Sequence, residues 1–195
     1  MSESVPPEAR AEIAEAVGAA LAEHGYERLT TAKIAAAYDK SEAALYYHYD
    51  SKDEMIAAFL ELAAESVGAD LPDGSAADPE QRLRALCEGL FLSPGDEGAA
   101  VHVAVMELLS HAPYNETLRE PLCELERRTL ETIAEIVRDG VERGVFRPVD
   151  PDATGAFLLA AADGSTGFHV ALELDVGDDL REGWSDYVDS LLVDD

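Results

Sequence analysis

Lysine is scarce in this chain. Of 195 residues three are lysines, Lys33, Lys40 and Lys52, and the basic residues number 14 against 41 acidic ones, a net charge of −27. A surface so acidic repels phosphates, which excludes a protein that clings to nucleic acid along its whole length. The two cysteines, Cys87 and Cys123, match no metal or redox spacing and read as small buried hydrophobes. Five scattered histidines form no zinc-type pair. A glycine-rich phosphate loop and a nucleophile elbow are both missing, so neither a metal, a cofactor nor an enzymatic activity is expected. No apolar run approaches the roughly 18 residues of a membrane span. The polar, acidic start Met1–Arg10 lacks the features of a secretory signal, so the expected location is the cytoplasm, away from any membrane.

Alternating β-branched runs are absent too, and what is present is helical. Hydrophobic residues make up 47% of the chain, enough to bury a core. Ile13, Val17 and Leu21 recur at helical spacing before His24-Gly25, where a left-handed glycine is expected to end the helix. Thr30 is placed to cap the next helix and Ser41 a short one over Glu42–Tyr49. Ser51-Lys52-Asp53-Glu54 reads as a capping box that opens a longer helix. Breaks are expected at Leu71-Pro72-Asp73-Gly74-Ser75 and Ser93-Pro94-Gly95. Asp78-Pro79 and Asp150-Pro151 are N-cap and N1 signals. Further helices are expected over about 97–111, 115–143, 151–174 and 178–193. The expectation is an all-α chain of about nine helices: a three-helix domain over residues 1–55 and a helical bundle over 56–195.

All three lysines fall between Glu27 and Ile56. There four bases face six acids, a net charge of −2, while the other 165 residues carry −25. Acidity spread so evenly is what adaptation to molar salt produces, where the Debye length is about 3 Å. The lysine window also has the plan of a helix-turn-helix: a helix of about eight residues, a short break, and a second short helix whose early residues face base edges. Leu45 and Tyr49 are expected to point into the core, leaving Glu42, Ala43, Tyr46 and Tyr47 outward. Small residues at Ala43 and Ala44 admit the DNA backbone. Tyr46 and Tyr47 can donate to phosphates, and Lys52 can clamp one. An isolated Tyr-Tyr-His-Tyr cluster would by itself more simply be packing.

The run Thr30-Thr31-x-x-Ile34-Ala35, then Ser41-x-x-x-Leu45-Tyr46-Tyr47-His48-Tyr49-x-x-Lys52, resembles the TetR-type DNA-binding domain, and the general acidity is that of a haloarchaeal-type member. The resemblance implies a homodimeric repressor on a pseudo-palindromic duplex operator, released when a small molecule binds the C-terminal region. It places phosphate contacts at Thr31, Tyr46, His48 and Lys52, and base contacts at the start of the recognition helix. Thr30, Lys33, Lys40 and Ser41 complete the expected DNA-binding set. Tyr38-Asp39-Lys40 stands where the family has Ala-Gly-Val, so Asp39 has to take a left-handed conformation and Lys40 is free to reach phosphate. Glu42 stands where a basic or polar residue is common; it either accepts from cytosine N4 or weakens binding.

In the bundle, an apolar or amphipathic effector is expected to meet Phe59, Leu62, Leu90, Phe91, His102, Met106, Cys123, Arg127 and Phe168. Small residues Ala160, Ala161, Gly164, Gly167 and Ala171 permit close helix approach. Leu180, Trp184, Tyr187 and Leu191 repeat at seam-like spacing. Both are expected at a dimer interface, with packing inside one chain as the alternative for the Trp184 stripe. The other function weighed is a dimeric ligand-binding or protein-interaction protein whose helix-turn-helix is vestigial.

Overall fold

The computed structural model describes residues 5–69, 71–72, 77–91, 99–174 and 176–193. Asp73-Gly74-Ser75 of the first expected break and Ser93-Pro94-Gly95 of the second lie outside the described residues, as does the start of the helix expected from Glu97. Nine α-helices are found among them: α1 (Pro7–His24), α2 (Thr31–Tyr38), α3 (Glu42–Tyr46), α4 (Lys52–Ser66), α5 (Pro79–Leu90), α6 (Ala99–His111), α7 (Glu116–Glu142), α8 (Pro151–Leu172) and α9 (Gly177–Leu191). No helix is long and apolar enough to cross a membrane among the described residues. Contacts divide the chain into two compact units, Met1–Ser66 with Glu97–Leu125 and Val67–Asp96 with Glu126–Asp195. The first unit thus takes in α4 and α6 as well as the three helices expected for residues 1–55.

The first unit closes around Ile13, Val17, Leu21, Ile34, Leu45, Met55, Ile56, Leu60, Leu108 and Leu118. Helix α1 stops at Gly25, whose φ of 69° and ψ of 163° suit glycine and whose N–H reaches Leu21 O. Thr30 caps α2 by accepting from the Lys33 N–H at 3.3 Å. Asp39 then takes the left-handed conformation, φ 54° and ψ 31°, at the C-cap; aspartate tolerates it better than most residues. Helix α3 is shorter than expected. It ends at Tyr46, and both His48 N–H and Tyr49 N–H turn back onto Leu45 O at 3.0 Å, tightening the last turn. Ser41 holds the N-cap position without a side-chain cap bond, so its hydroxyl does not cap as expected. The capping box at Ser51 forms with one change. Glu54 N–H donates to Ser51 Oγ at 3.2 Å, but the Glu54 carboxylate accepts from Asp50 N–H, at 2.8 Å.

The second unit packs α5, α8, α9 and the α7 residues from Glu126 onward around Leu83, Cys87, Ile133, Ile136, Val137, Phe146, Leu158, Trp184, Val188 and Leu191. Asp78 and Asp150 cap α5 and α8 as expected. A Cβ at Gly140 would stand 2.1 Å from the Phe146 ring, so the turn after α7 folds back on a residue with no side chain. Trp184 and Leu191 correct the expectation of an interchain seam: both are buried within their own chain, and Trp184 stacks on Phe91 with ring centroids 5.7 Å apart. Their a/d spacing marks an apolar face without saying which chain covers it. Cys123 is exposed, against the expectation of a buried hydrophobe, whereas Cys87 is buried.

Two half-buried carboxylates on α7 and α8 are at odds with their surroundings. Burial, assisted by the charge of Asp163, pushes Glu126 up to about 7, and burial pushes Asp163 up to about 6. The fold prefers their neutral forms. They cost nothing below the ordinary carboxylate range, and the cost grows as pH rises through about 6 to 7. Glu126→Gln is therefore expected to raise Tm by about 2–4 °C at alkaline pH and to leave it unchanged near pH 4, in thermal scans at molar salt. An equal gain at both pH values would show that the shift comes from something other than titration.

Candidate nucleic-acid interface

Leu45, fully buried, anchors α3, and this fixes what the rest of the short helix presents. Ser41, Glu42, Ala43, Tyr46 and Tyr47 are exposed, Tyr47 to 84%, while Ala44 and His48 are half-buried. The Tyr47 and His48 rings meet edge to face at 4.9 Å. From α2, Thr31 brings its hydroxyl to the same surface. It donates to Glu42 Oε2 at 2.7 Å and accepts from the Tyr46 hydroxyl at 3.4 Å.

The lysines are held to different degrees. Lys33 Nζ donates to Arg28 O at 2.7 Å. Lys52 Nζ lies 4.5 Å over the Tyr26 ring and makes a long 3.4 Å bond to Leu29 O. Lys40 does not stand free to reach phosphate as expected. Its Nζ pairs with Glu12 Oε2 on α1 at 2.7 Å and donates to the Tyr38 hydroxyl at 3.0 Å, and these partners hold its pKa above the ordinary range. Glu12 and Tyr26 went unnamed in the sequence, because partners 28 and 26 positions away leave no local trace. The loop between α1 and α2 is tied to α6 in the same way: Tyr26 N–H donates to the Glu107 carboxylate at 2.8 Å, and His111 pairs with Glu27 at 3.0 Å.

The expected effector contacts fall in both units. Phe59, Leu62, His102, Met106 and Cys123 belong to the first, and Leu90, Phe91, Arg127 and Phe168 to the second. Phe59 packs against the first core, and Phe91 is a core residue of the second. Arg127 and Phe168 are exposed. His102 is largely buried, which lowers its pKa, and its Nε2 has no hydrogen-bond partner among the described residues. The second unit also holds a cavity of about 360 Å³ lined by Arg84, Glu88, Arg181, Trp184 and Ser185. Arg84 is already engaged by Glu80 and Asp189. Of this lining only Trp184 was singled out in the sequence, since charged residues on two separate helices carry no shared pattern.

Residues 13–59 match the family of bacterial regulatory proteins of the tetR type, and residues 79–193 match the C-terminal region of BetI-type transcriptional repressors. The chain belongs to the TetR family. It is thus a DNA-binding transcriptional repressor with a ligand-binding C-terminal region, in a family of regulators rather than enzymes. A TetR transcription regulator from Haloarcula marismortui ATCC 43049 is 34% identical, covering 94% of this chain and 98% of that one, with a TM-score of 0.78. A transcriptional regulator from Saccharomonospora viridis, in complex with choline, is 27% identical over 97% of this chain and 100% of that one, with a TM-score of 0.73. The nucleoid occlusion factor SlmA of Vibrio cholerae serotype O1 is 30% identical over 162 residues, 80% of this chain and 81% of the relative.

Proposed function

We propose that this TetR-family chain acts in the cytoplasm as a homodimer on a pseudo-palindromic operator and leaves it when a small apolar or amphipathic molecule binds. The observation that carries the reading is the outward face of α3, where Tyr46 and Tyr47 stand exposed beside the buried anchor Leu45. On this reading residues 1–55 are the DNA-binding domain. Thr31, Tyr46, His48 and Lys52 contact phosphate, and Glu42, Ala43 and Tyr47 face base edges.

Helix α8 supports the dimer. Ala153, Phe157, Ala160, Gly164, Gly167 and Ala171 follow one another at alternating intervals of four and three residues, the spacing of a helix–helix seam. Phe157 is 55% exposed, and a Cβ at Gly164 would meet nothing within 4 Å, so the chain's own packing does not require the small residue. Sedimentation in molar salt should give roughly twice 20.9 kDa. Phe157→Asp should shift the protein towards monomer with little change in Tm. Footprinting should protect two half-sites about 34–36 Å apart, or a multiple of that. A monomeric wild type, or a single asymmetric half-site, would sink this assembly.

The effector must favour the DNA-free form, and DNA must weaken its binding by the same factor. The relative crystallised with choline makes that cation one compound to titrate against operator affinity, beside the apolar and amphipathic ones. The likeness to SlmA favours a second reading, in which DNA binding serves nucleoid occlusion. Mapping occupied sites on the chromosome separates the two: a few operators beside genes support the repressor, many dispersed sites the other.

A further inference from the structure

The hydroxyls of Thr31 and Tyr46 were expected to donate to phosphate, yet the Thr31 proton is already committed, while Tyr46 makes only a long 3.4 Å contact. Tyr46 donates to Thr31, and Thr31 donates to the Glu42 carboxylate. A hydroxyl has a single proton to give. At 2.7 Å the Thr31–Glu42 contact is a well-formed hydrogen bond, and its acceptor is a carboxylate. The chain of donors therefore ends on an anion of the protein's own, on the surface turned to DNA. Among the described residues the partner of that carboxylate is a hydroxyl and not a cation.

We propose that Glu42 is an internal stand-in for a DNA phosphate, and that its displacement makes binding conditional on a base-edge amino group. This rests on the reading that Thr31, Glu42 and Tyr46 face the duplex. An arriving phosphate and the Glu42 carboxylate compete for one Thr31 proton. When phosphate takes it, the carboxylate has to find another donor in the major groove. Cytosine N4 and adenine N6 supply one there; guanine O6 and N7 and thymine O4 only accept and so repel it. On a matched sequence the swap conserves hydrogen bonds. Each base pair carries one such amino group, so the strand that bears it decides: where it lies away from Glu42, the carboxylate meets acceptors, a penalty built against the wrong partner. Glu42 thus determines specificity chiefly by lowering affinity for unselected DNA.

The test uses Glu42→Gln, which keeps an acceptor for Thr31 but removes the charge, on an exposed side chain whose replacement leaves the fold intact. Wild type, Glu42→Gln, Thr31→Val and the double variant are titrated in molar and lower salt. The duplexes are the one wild type selects from a randomised pool, its variants at each major-groove amino position, and a scrambled sequence. Glu42→Gln is expected to bind scrambled DNA on the order of tenfold more tightly, while gaining little on the selected duplex. The preference for an amino base at one position of each half-site should flatten. The gain on scrambled DNA should shrink in the Thr31→Val background, where no proton is contested. If Glu42→Gln leaves scrambled binding and base preference unchanged while wild type still selects a duplex, this inference fails alone. If wild type binds no duplex at any salt, the DNA-facing reading fails and the inference with it.

Discussion

Replacing Trp184 by aspartate is expected to unfold the second unit and lower Tm by at least about 10 °C. The indole is 7% exposed, stacks on Phe91, and sits in one cluster with Val188 and Leu191. Removing a buried aromatic side chain costs about 3–5 kcal/mol, and the new carboxylate adds a desolvation cost that Arg84 in the adjoining cavity, already engaged by Glu80 and Asp189, offsets only in part. Set against the roughly 5–15 kcal/mol that holds a domain of this kind together, the loss is decisive, and each kcal/mol moves Tm by about 2–4 °C at this size. Tyr187→Asp, one turn further along α9 and half-buried against Phe157, should cost less. Thermal unfolding followed by near-ultraviolet circular dichroism measures both. A Trp184→Asp protein with wild-type Tm that sediments as a monomer would return Trp184 to the interchain seam and overturn the core described above.

That outcome bears on what a sequence can carry. Helix starts are legible where a cap residue and a proline act locally, as at Asp78-Pro79 and Asp150-Pro151, because the bonds that fix them span two or three positions. The frame of α2 and α3 is legible for the same reason, down to the left-handed Asp39. The length of α3 is not, since its last turn is tightened by bonds to Leu45 O that no residue type announces. Nor is the state of the cations. Lys40 meets Glu12, and Thr31 meets Glu42, only because α1, α2 and α3 pack together. The Trp184 stripe shows the limit most plainly: periodicity identifies a buried face, and tertiary structure decides what buries it.

Lys52 and Tyr47 are expected to fail in different ways when truncated. Lys52 is the lysine most easily spared for phosphate: it lies over the Tyr26 ring and makes one long bond to a carbonyl, whereas Lys40 is engaged by a carboxylate. Lys52→Ala should weaken binding to every duplex alike, by about tenfold at low salt, and reduce the salt slope by about one. Tyr47 is 84% exposed and its ring meets the His48 ring edge to face, so Tyr47→Ala should change which bases are preferred. The most direct measurement of the whole account is selection of duplexes from a randomised pool at several salt concentrations, by wild type and these two variants. The account predicts that wild type enriches a pseudo-palindrome, Lys52→Ala enriches the same one more weakly, and Tyr47→Ala enriches a different one. A wild type that enriches nothing and binds no duplex across the salt range would contradict it, and would leave a dimer with a vestigial helix-turn-helix.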